Sequence, residues 1–222
     1  RRGGEQGLQP RMHVGFGSNQ TWERSIGLSG GDEKTRFNLG ASLDETAGLD
    51  RTHESYPSDS DHDAYRNKSI SLSLSHALTD DIEVGANLLD NRGKGEFDNP
   101  FGRFDPVTFD SVQQQPYSDF TVSSFSSYID ARINERWKSR LELGHSENRE
   151  KSFDKLSDER SVFNTYRDSV TWQNDLTLDA RNSLILGGDW YEDRINSSTA
   201  FDEDSRWNRA AFIQHRFQAD SF

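Results

Sequence analysis

Apolar and polar side chains alternate with a period of two residues along most of this 222-residue chain. Successive side chains of a β-strand point to opposite faces, so this alternation predicts strands with one apolar face and one wet face. No window shows the 3.6-residue stripe of an amphipathic helix. The clearest alternating segments are 37–44, 70–75, 82–88, 137–144 and 170–178, and weaker ones lie at 9–17, 20–30, 119–133, 183–192 and 205–218. We therefore expect about ten strands.

The wet face indicates what surrounds the strands. Ile70, Leu72 and Leu74 alternate with serines, and elsewhere the polar positions hold Ser, Gly, Asn and Gln beside charged residues. Such a mixture suits a hydrated lumen. The strands are also long, at about 9 to 15 residues, whereas transmembrane strands need about 9 to 11 and strands of globular proteins usually have five or six. Strand length favours a membrane barrel over a soluble sandwich, whose strands would also alternate.

Short and long connections follow one another along the chain. The short ones lie at 30–34, 78–81, 134–136 and 179–182, and the long ones at 45–65, 91–118, 150–164 and 194–205. Transmembrane barrels have short periplasmic turns and long extracellular loops. Trp137 directly follows a short turn, and Trp22, Trp190 and Trp207 lie near strand ends, as aromatic girdle residues do. We therefore predict an all-β fold, an antiparallel up-and-down transmembrane β-barrel.

Composition excludes several functions. The chain has 26 basic and 38 acidic side chains, and it lacks a basic run that could neutralise phosphates, so we expect no nucleic-acid partner. No segment approaches the ~18 consecutive apolar residues of a transmembrane helix. Without cysteine there is no disulfide, thiol nucleophile or thiolate metal site. Trios of Ser, His and Asp arise by chance in a serine-rich chain, so we do not expect an enzyme.

Carboxylates are concentrated in the segment 45–65, where Arg51 is the one strong base. They are Glu45, Asp50, Glu54, Asp59, Asp61 and Asp63. Clustered carboxylates repel one another unless a cation relieves them, and hard oxygen ligands suit Ca²⁺. The last three aspartates match the start of an EF-hand loop, but Ala64 replaces its glycine and Ile70 stands where its bidentate glutamate belongs.

An EF-hand is therefore excluded, and two interpretations of this acidic segment stay open. One is a solvated loop with no ligand. The other is a calcium site built between loops, to which the next long connection would add Asp98, Asp105 and Asp110.

Several short segments resemble a known family. They are RRGG at 1–4, VGFGSN at 14–19, GDEKTR at 31–36, DHD at 61–63, LTDD at 78–81, DNR at 90–92 and VTW at 170–172. Together with the strand pattern they resemble the barrel of TonB-dependent outer-membrane transporters, and within that family the cobalamin transporters. Such barrels have about 22 strands around a plug domain. The resemblance implies that residues 1–8 are the linker from a missing plug domain and that 9–222 are the N-terminal portion of the barrel, about ten of its strands.

The resemblance also implies a function. A receptor of this kind, in the outer membrane of a Gram-negative bacterium, would capture cobalamin or a related corrinoid and import it with energy delivered by TonB through the plug. Its barrel would lie in a lipid bilayer with lipopolysaccharide. The calcium ligands of the family correspond here to Asp50, Asp61, Asp63, Asp98 and Asp110, and calcium would order the extracellular loops. The residues that contact cobalamin do not transfer, because the loop sequences differ too much.

Three alternatives remain at this stage. A siderophore transporter would have the same architecture and would be competed by a ferric chelate. A small outer-membrane barrel enzyme would need catalytic groups that face inward on neighbouring strands. A soluble acidic β-protein would be a monomer without detergent.

Overall fold

The computed structural model describes residues 7–50, 62–99, 102–112 and 114–219. Ten strands form one antiparallel sheet in which each strand pairs with its neighbours in the chain. They are β1 (Gly7–Gly17), β2 (Thr21–Gly31), β3 (Thr35–Thr46), β4 (Tyr65–Ala77), β5 (Ile82–Glu96), β8 (Pro116–Asn134), β9 (Trp137–Asp154), β10 (Arg160–Thr177), β11 (Asn182–Ser197) and β12 (Ser205–Phe217). The short strands β6 (Arg103–Phe104) and β7 (Ser111–Val112) pair within the connection between β5 and β8.

The all-β, antiparallel, ten-stranded prediction is confirmed. β1 begins at Gly7, two residues before the predicted start of the barrel. Among the described residues, no helix is long and apolar enough to cross a membrane.

Pairing across the sheet separates two faces. On the apolar face, Leu39 lies opposite Leu72, which lies opposite Leu88. On the polar face, Asn87 is linked to a serine on each side: Ser73 Oγ donates to its Oδ1 at 2.9 Å, and its Nδ2 donates to Ser126 Oγ at 3.4 Å. The recesses of the molecule open among polar-face side chains, so we take the polar face to be the concave, inner one.

The described part of the chain has no buried hydrophobic residue. Met12, Ile26 and Ile213 are 78%, 63% and 74% exposed. Most of the exposed large apolar side chains in the strands share their face, although Leu89 and Val122 lie on the polar face. Leaving apolar surface in water costs about 25 cal/mol per Å², and soluble monomers rarely expose large contiguous apolar patches. The apolar face therefore requires lipid, as the outer face of a membrane barrel does.

Three ring nitrogens on the apolar face have hydrogen-bond partners within the sheet. The indole nitrogen of Trp172 donates to Ser139 Oγ at 3.0 Å, and that of Trp137 donates to Asn174 Oδ1 at 2.9 Å. His76, which the sequence places on this face, has Nδ1 2.8 Å from Thr35 Oγ1. Such bonds are needed because lipid offers an indole or imidazole nitrogen no partner.

The four predicted short turns are confirmed, at 32–34, 78–81, 135–136 and 178–181. At two of them an aspartate caps the turn. Asp32 accepts hydrogen bonds from the backbone N–H groups of Lys34 and Thr35, and Asp179 accepts from those of Arg181 and Asn182. These bonds fix the narrow chain reversal between neighbouring strands.

The opposite end of the sheet differs from the prediction in two places. The expected long loops at 150–164 and 194–205 are mostly strand, and only 155–159 and 198–204 are irregular. Here the strands extend past the apolar region, so both faces are wet and alternation disappears although backbone pairing continues. The connections 47–64 and 97–115 are long, as expected.

Glycines on the polar face make room for aromatic rings. Gly85 lies directly opposite Tyr128, and Gly93 lies directly opposite Phe120. A Cβ atom added to either glycine would overlap the facing ring. The rings thus lie flat against the sheet, an arrangement that compensates for the weak packing of a strand glycine.

Candidate functional site

The outer ends of β3, β4 and β5 lie side by side where the two long connections begin. The amide of Asp63 donates to the carbonyl of Leu49 at 3.3 Å, and the amide of Glu96 donates to the carbonyl of Ala64 at 2.9 Å. These bonds join three chain segments that are distant in sequence. We refer to 47–50, 62–64 and 96–99 together as the loop base.

A glycine permits the closest approach within the loop base. Gly48 has φ of +74°, in the region that residues with a side chain rarely adopt. A Cβ atom at this position would overlap the carbonyl group of Asp63. Gly48 therefore lets the two segments pack directly against each other.

The loop base contains three of the five predicted calcium ligands, Asp50, Asp63 and Asp98. Asp63 is 6% exposed. Both carboxylate oxygens of Asp98 are withdrawn from solvent and accept no hydrogen bond from any described residue. Withdrawing a carboxylate from water without a partner costs several kcal/mol, so this environment suits an added cation. Asp61 lies outside the described residues.

Asp110 lies in the turn of the β6–β7 hairpin rather than in the loop base. Its carbonyl accepts the amide of Asp105 at 2.9 Å, and the hairpin base is tied to the β9–β10 connection by Arg103 Nη1, 2.8 Å from Glu159 Oε1. Within 7–50, 62–99, 102–112 and 114–219, no three His, Asp or Glu side chains are arranged to hold a metal ion.

The carboxylate of Asp105 has a structural role. It accepts the backbone N–H groups of Val107 at 2.8 Å and Thr108 at 3.4 Å, which caps the hairpin turn. The bond from Val107 holds the pKa of Asp105 below its usual value. Asp105 is thus occupied by the turn and is a poor candidate for a cation ligand.

The polar face forms a second candidate surface near the long connections. A recess of about 650 Å³ is lined there by polar-face side chains that include Ser124, Ser146 and Arg167. Arg167 Nε and Nη2 lie 2.6 and 2.9 Å from the two carboxylate oxygens of Asp193, and Arg206 Nε lies 3.0 Å from one of them. The serine hydroxyls can bind a polar ligand, whereas both guanidinium groups are already paired with Asp193, and Glu203 and Asp204 add negative charge to the lining. Among the described residues that line the recess, none is arranged as a nucleophile with its base.

The sequence prediction missed this recess, although the pattern contains a signal for it. Arg167 continues the polar positions of β10 that include Thr171 and Gln173, and Asp193 lies opposite Arg167 in the register. Extending the two-residue alternation of β10 back from Thr171 would have placed Arg167 on the inner face. It could not have selected Asp193 as the partner without the pairing of β10 with β11.

A charged network occupies the polar face near the short turns. Arg140 Nη1 lies 2.9 Å from Asp130, its Nη2 lies 2.9 Å from Glu142, and its guanidinium carbon lies 4.0 Å from the ring centroid of Tyr128. Tyr128 in turn donates to Glu83 Oε1 at 3.0 Å. The three neighbouring strands β5, β8 and β9 are thereby cross-linked by inward-facing side chains.

Three solved structures are similar to this sheet. The siderophore receptor PirA from Acinetobacter baumannii matches 96% of this chain and 36% of its own length, at a TM-score of 0.65 and 15% identity. The RagAB peptide transporter matches 89% and 30%, at 0.61 and 11% identity. The copper transporter OprC matches 100% and 44%, at 0.55 and 15% identity. No family model and no curated protein sequence matches the chain.

The similarity establishes the fold. The three structures are TonB-dependent receptors, and this chain has the fold of part of the barrel wall of that class. The chain spans less than half the length of each of them. The wider resemblance to TonB-dependent barrels is thus supported, whereas the narrower one, to the cobalamin transporter BtuB, is not.

Proposed function

We propose that this chain is part of a TonB-dependent receptor in the outer membrane of a Gram-negative bacterium, which binds a ligand outside the cell and imports it without chemical change. The observation that carries the proposal is a long-stranded sheet in which no described hydrophobic residue is buried, with one face mainly apolar and exposed and the other polar. Similarity to three receptors of this class supports it. In this proposal, residues 1–8 join a plug domain to the barrel, and the plug makes the contact with TonB.

The imported ligand is proposed to be cobalamin or a related corrinoid. A corrinoid carries many amide groups, which the hydroxyl groups of Ser124 and Ser146 in the recess suit. To bind its phosphate, Arg167 or Arg206 would have to exchange Asp193 for the ligand. A ferric siderophore is the second candidate, because PirA is a siderophore receptor.

Calcium is proposed to order the two long connections before the ligand binds. Asp50, Asp61, Asp63, Asp98 and Asp110 would supply oxygen ligands. Asp50, Asp63 and Asp98 belong to the loop base, and Asp61 lies outside the described residues. The withdrawal of Asp63 and Asp98 from solvent supports a cation in their vicinity. Asp110 would have to approach from the β6–β7 hairpin. Lipid and lipopolysaccharide would surround the apolar face.

Calorimetric titration of the full-length receptor in detergent tests this proposal. Cyanocobalamin and a ferric siderophore are titrated with calcium and with a chelator. We expect cyanocobalamin to bind, and to bind at least about tenfold more weakly in the chelator. Binding of the ferric siderophore but not of cyanocobalamin would assign a siderophore as the imported ligand. A protein that stays monomeric without detergent and binds neither compound would overturn the receptor assignment.

A double variant isolates the proposed calcium ligands. Asp61→Ala with Asp63→Ala should abolish the effect of calcium on ligand binding. Asp80→Ala with Asp81→Ala, at a short turn on the opposite end of the sheet, is the matched control and should leave it intact. An unchanged calcium effect in the first variant would remove the ligand assignment without affecting the import proposal.

A further inference from the structure

Four basic side chains face one another on the apolar face of β4 and β5. Lys68 lies directly opposite Arg92, and Arg66 lies directly opposite Lys94. Directly opposed residues have Cβ atoms about 4.5–5.5 Å apart, and like charges at such positions destabilise a sheet. All four side chains are exposed. We refer to these four residues as the basic block.

The basic block contrasts with the overall charge of the chain, which is −12. Its neighbouring carboxylates neutralise it only in part. Arg66 Nε lies 2.9 Å from Glu45, which also pairs with Arg24, and Arg92 Nε lies 2.7 Å from Asp90.

The two lysines of the block are less well compensated. Lys94 Nζ lies 4.0 Å from Glu96, which is shared with Lys155, and 3.8 Å from the ring centroid of Tyr117. Asp119 of β8 lies directly opposite Lys94 on the same face. Lys68 makes no ion pair or hydrogen bond with any residue in the described ranges. Arg24 and Lys155 share two of the four neighbouring carboxylates, so six cations face four carboxylates and the block keeps an excess of positive charge, centred on Lys68.

An apolar surface begins directly beside the block. The next apolar-face position of β4 is Ile70, followed by Leu72, which lies opposite Leu88 of β5. Ile70 is 50% exposed and Leu88 is 36% exposed. Successive positions on one face are about 6.6 Å apart along a strand. A molecule that contacts both surfaces needs an anionic group within about 7 to 13 Å of a hydrocarbon chain.

At the same height along the strands, the apolar face of β9–β11 carries charged side chains that pair with opposite charges. There Asp168 Oδ1 lies 2.6 Å from His145 Nδ1, and its other oxygen pairs with Arg194. Arg149 Nη2 lies 3.2 Å from Glu147 Oε1. Opposite charges are paired in that sector, so a local excess of cations is not a general property of the barrel rim.

We propose that the basic block binds the phosphate group of a membrane lipid, whose acyl chains lie along Ile70, Leu72 and Leu88. Guanidinium and ammonium groups form charge-assisted hydrogen bonds with phosphate oxygens, which would relieve the repulsion between the paired cations. Proteins usually keep an unfavourable local arrangement, such as cations directly opposite each other in a sheet, where it serves a function. Lipid binding is the function that we propose for this one. The proposal rests on the membrane location in the proposed function and is independent of the imported ligand.

Native mass spectrometry of the full-length protein in detergent tests the proposal with three probes. They are bisphosphorylated lipid A, the same lipid after removal of its phosphates, and inorganic phosphate. We expect the phosphorylated lipid to bind at least about tenfold more tightly than the dephosphorylated lipid. Equal affinity for the two lipids would overturn the proposal. Inorganic phosphate binding as tightly as the phosphorylated lipid would identify the ligand as a free anion and not a lipid.

Two double variants of equal charge change locate the site. Lys68→Gln with Arg92→Gln should weaken binding of the phosphorylated lipid about tenfold, because both central donors are lost. Lys151→Gln with Arg209→Gln, on the same face of β9 and β12, should change it less than about twofold because these residues are outside the block. Equal loss in both variants would refute the site.

Thermal unfolding separates lipid binding from folding. Removal of like charges should leave the midpoint of the Lys68→Gln, Arg92→Gln variant equal to that of the wild type or higher. Import-ligand binding should be unchanged in this variant. If the wild-type protein binds the phosphorylated lipid but neither cyanocobalamin nor the ferric siderophore, that result would count against the proposed function and not against the lipid site.

Discussion

The indole nitrogen of Trp137 donates a hydrogen bond of 2.9 Å to the side-chain oxygen of Asn174 on the neighbouring strand. Asn174 lies on the apolar face and is 2% exposed. A primary amide is costly in lipid unless its polar atoms are bonded. Trp137 therefore has a role beyond the interfacial anchoring that its position next to a turn predicts, because it also bonds the side-chain oxygen of a buried amide.

Replacement of Trp137 by phenylalanine should destabilise the barrel. The ring would remain, but the carbonyl oxygen of Asn174 would lose its donor, at a cost of about 1–3 kcal/mol. Urea unfolding in lipid vesicles, followed by the gel mobility of the folded form, measures the change. Trp207→Phe is the control, because the Trp207 indole nitrogen makes no hydrogen bond with any described residue, and a loss as large there would show that ring size alone matters.

Trp172 and Ser139 should be energetically coupled. The indole nitrogen of Trp172 bonds to Ser139 Oγ within the apolar face, where no water can replace the serine. Ser139→Ala alone should cost about 1 kcal/mol or more, and the same change in a Trp172→Phe background should cost much less. A double-mutant cycle on the unfolding free energy gives the coupling. Additive single effects would contradict the importance of this bond.

Gly85→Ala should displace the ring of Tyr128. The added methyl group would overlap the ring, and the bond from Tyr128 to Glu83 would be lost, so we expect a destabilisation of about 1–3 kcal/mol. Gly95→Ala is the matched change on the same strand, since its Cβ would lie 3.7 Å from the nearest atom of Tyr65. Unfolding free energies that fall equally in both variants would indicate a backbone effect of glycine instead.

The turn at 178–181 should loosen in acid. The backbone N–H of Arg181, with the side chain of Asn182, holds the pKa of Asp179 below its usual value. A lowered pKa means that the carboxylate stabilises the turn above the ordinary aspartate pKa of about 3.9, and that this stabilisation is lost as the pH falls through the lowered pKa. Proteolysis at the turn, with a protease active in acid, should therefore rise below about pH 4.

Asp179→Asn keeps the side-chain acceptor but cannot titrate. In this variant, cleavage at 178–181 should not change with pH over that range, because the amide oxygen still accepts the same backbone donors. An acid-dependent rise that persists in Asp179→Asn would assign the loosening to another group.

The sequence determined much of the fold because alternation is a local property. Whether Leu72 and Ser73 face opposite sides of a strand depends on nothing beyond that strand, so the faces, the strand number and the short turns were predictable. Where both faces become wet, at 150–154 and 160–164, the local signal disappeared and strand was predicted as loop.

Relationships between strands needed the tertiary structure. Lys68 and Arg92, or Arg167 and Asp193, meet because the register of each pair is set by turns and by the packing of a whole face. A shift of one residue would move every partner to the other face, and nothing local to Lys68 specifies that a cation lies opposite. The sequence alone thus determined which residues lie on the apolar face and which on the polar face, whereas only the assembled sheet decided which charges face each other and which chain segments meet at the loop base.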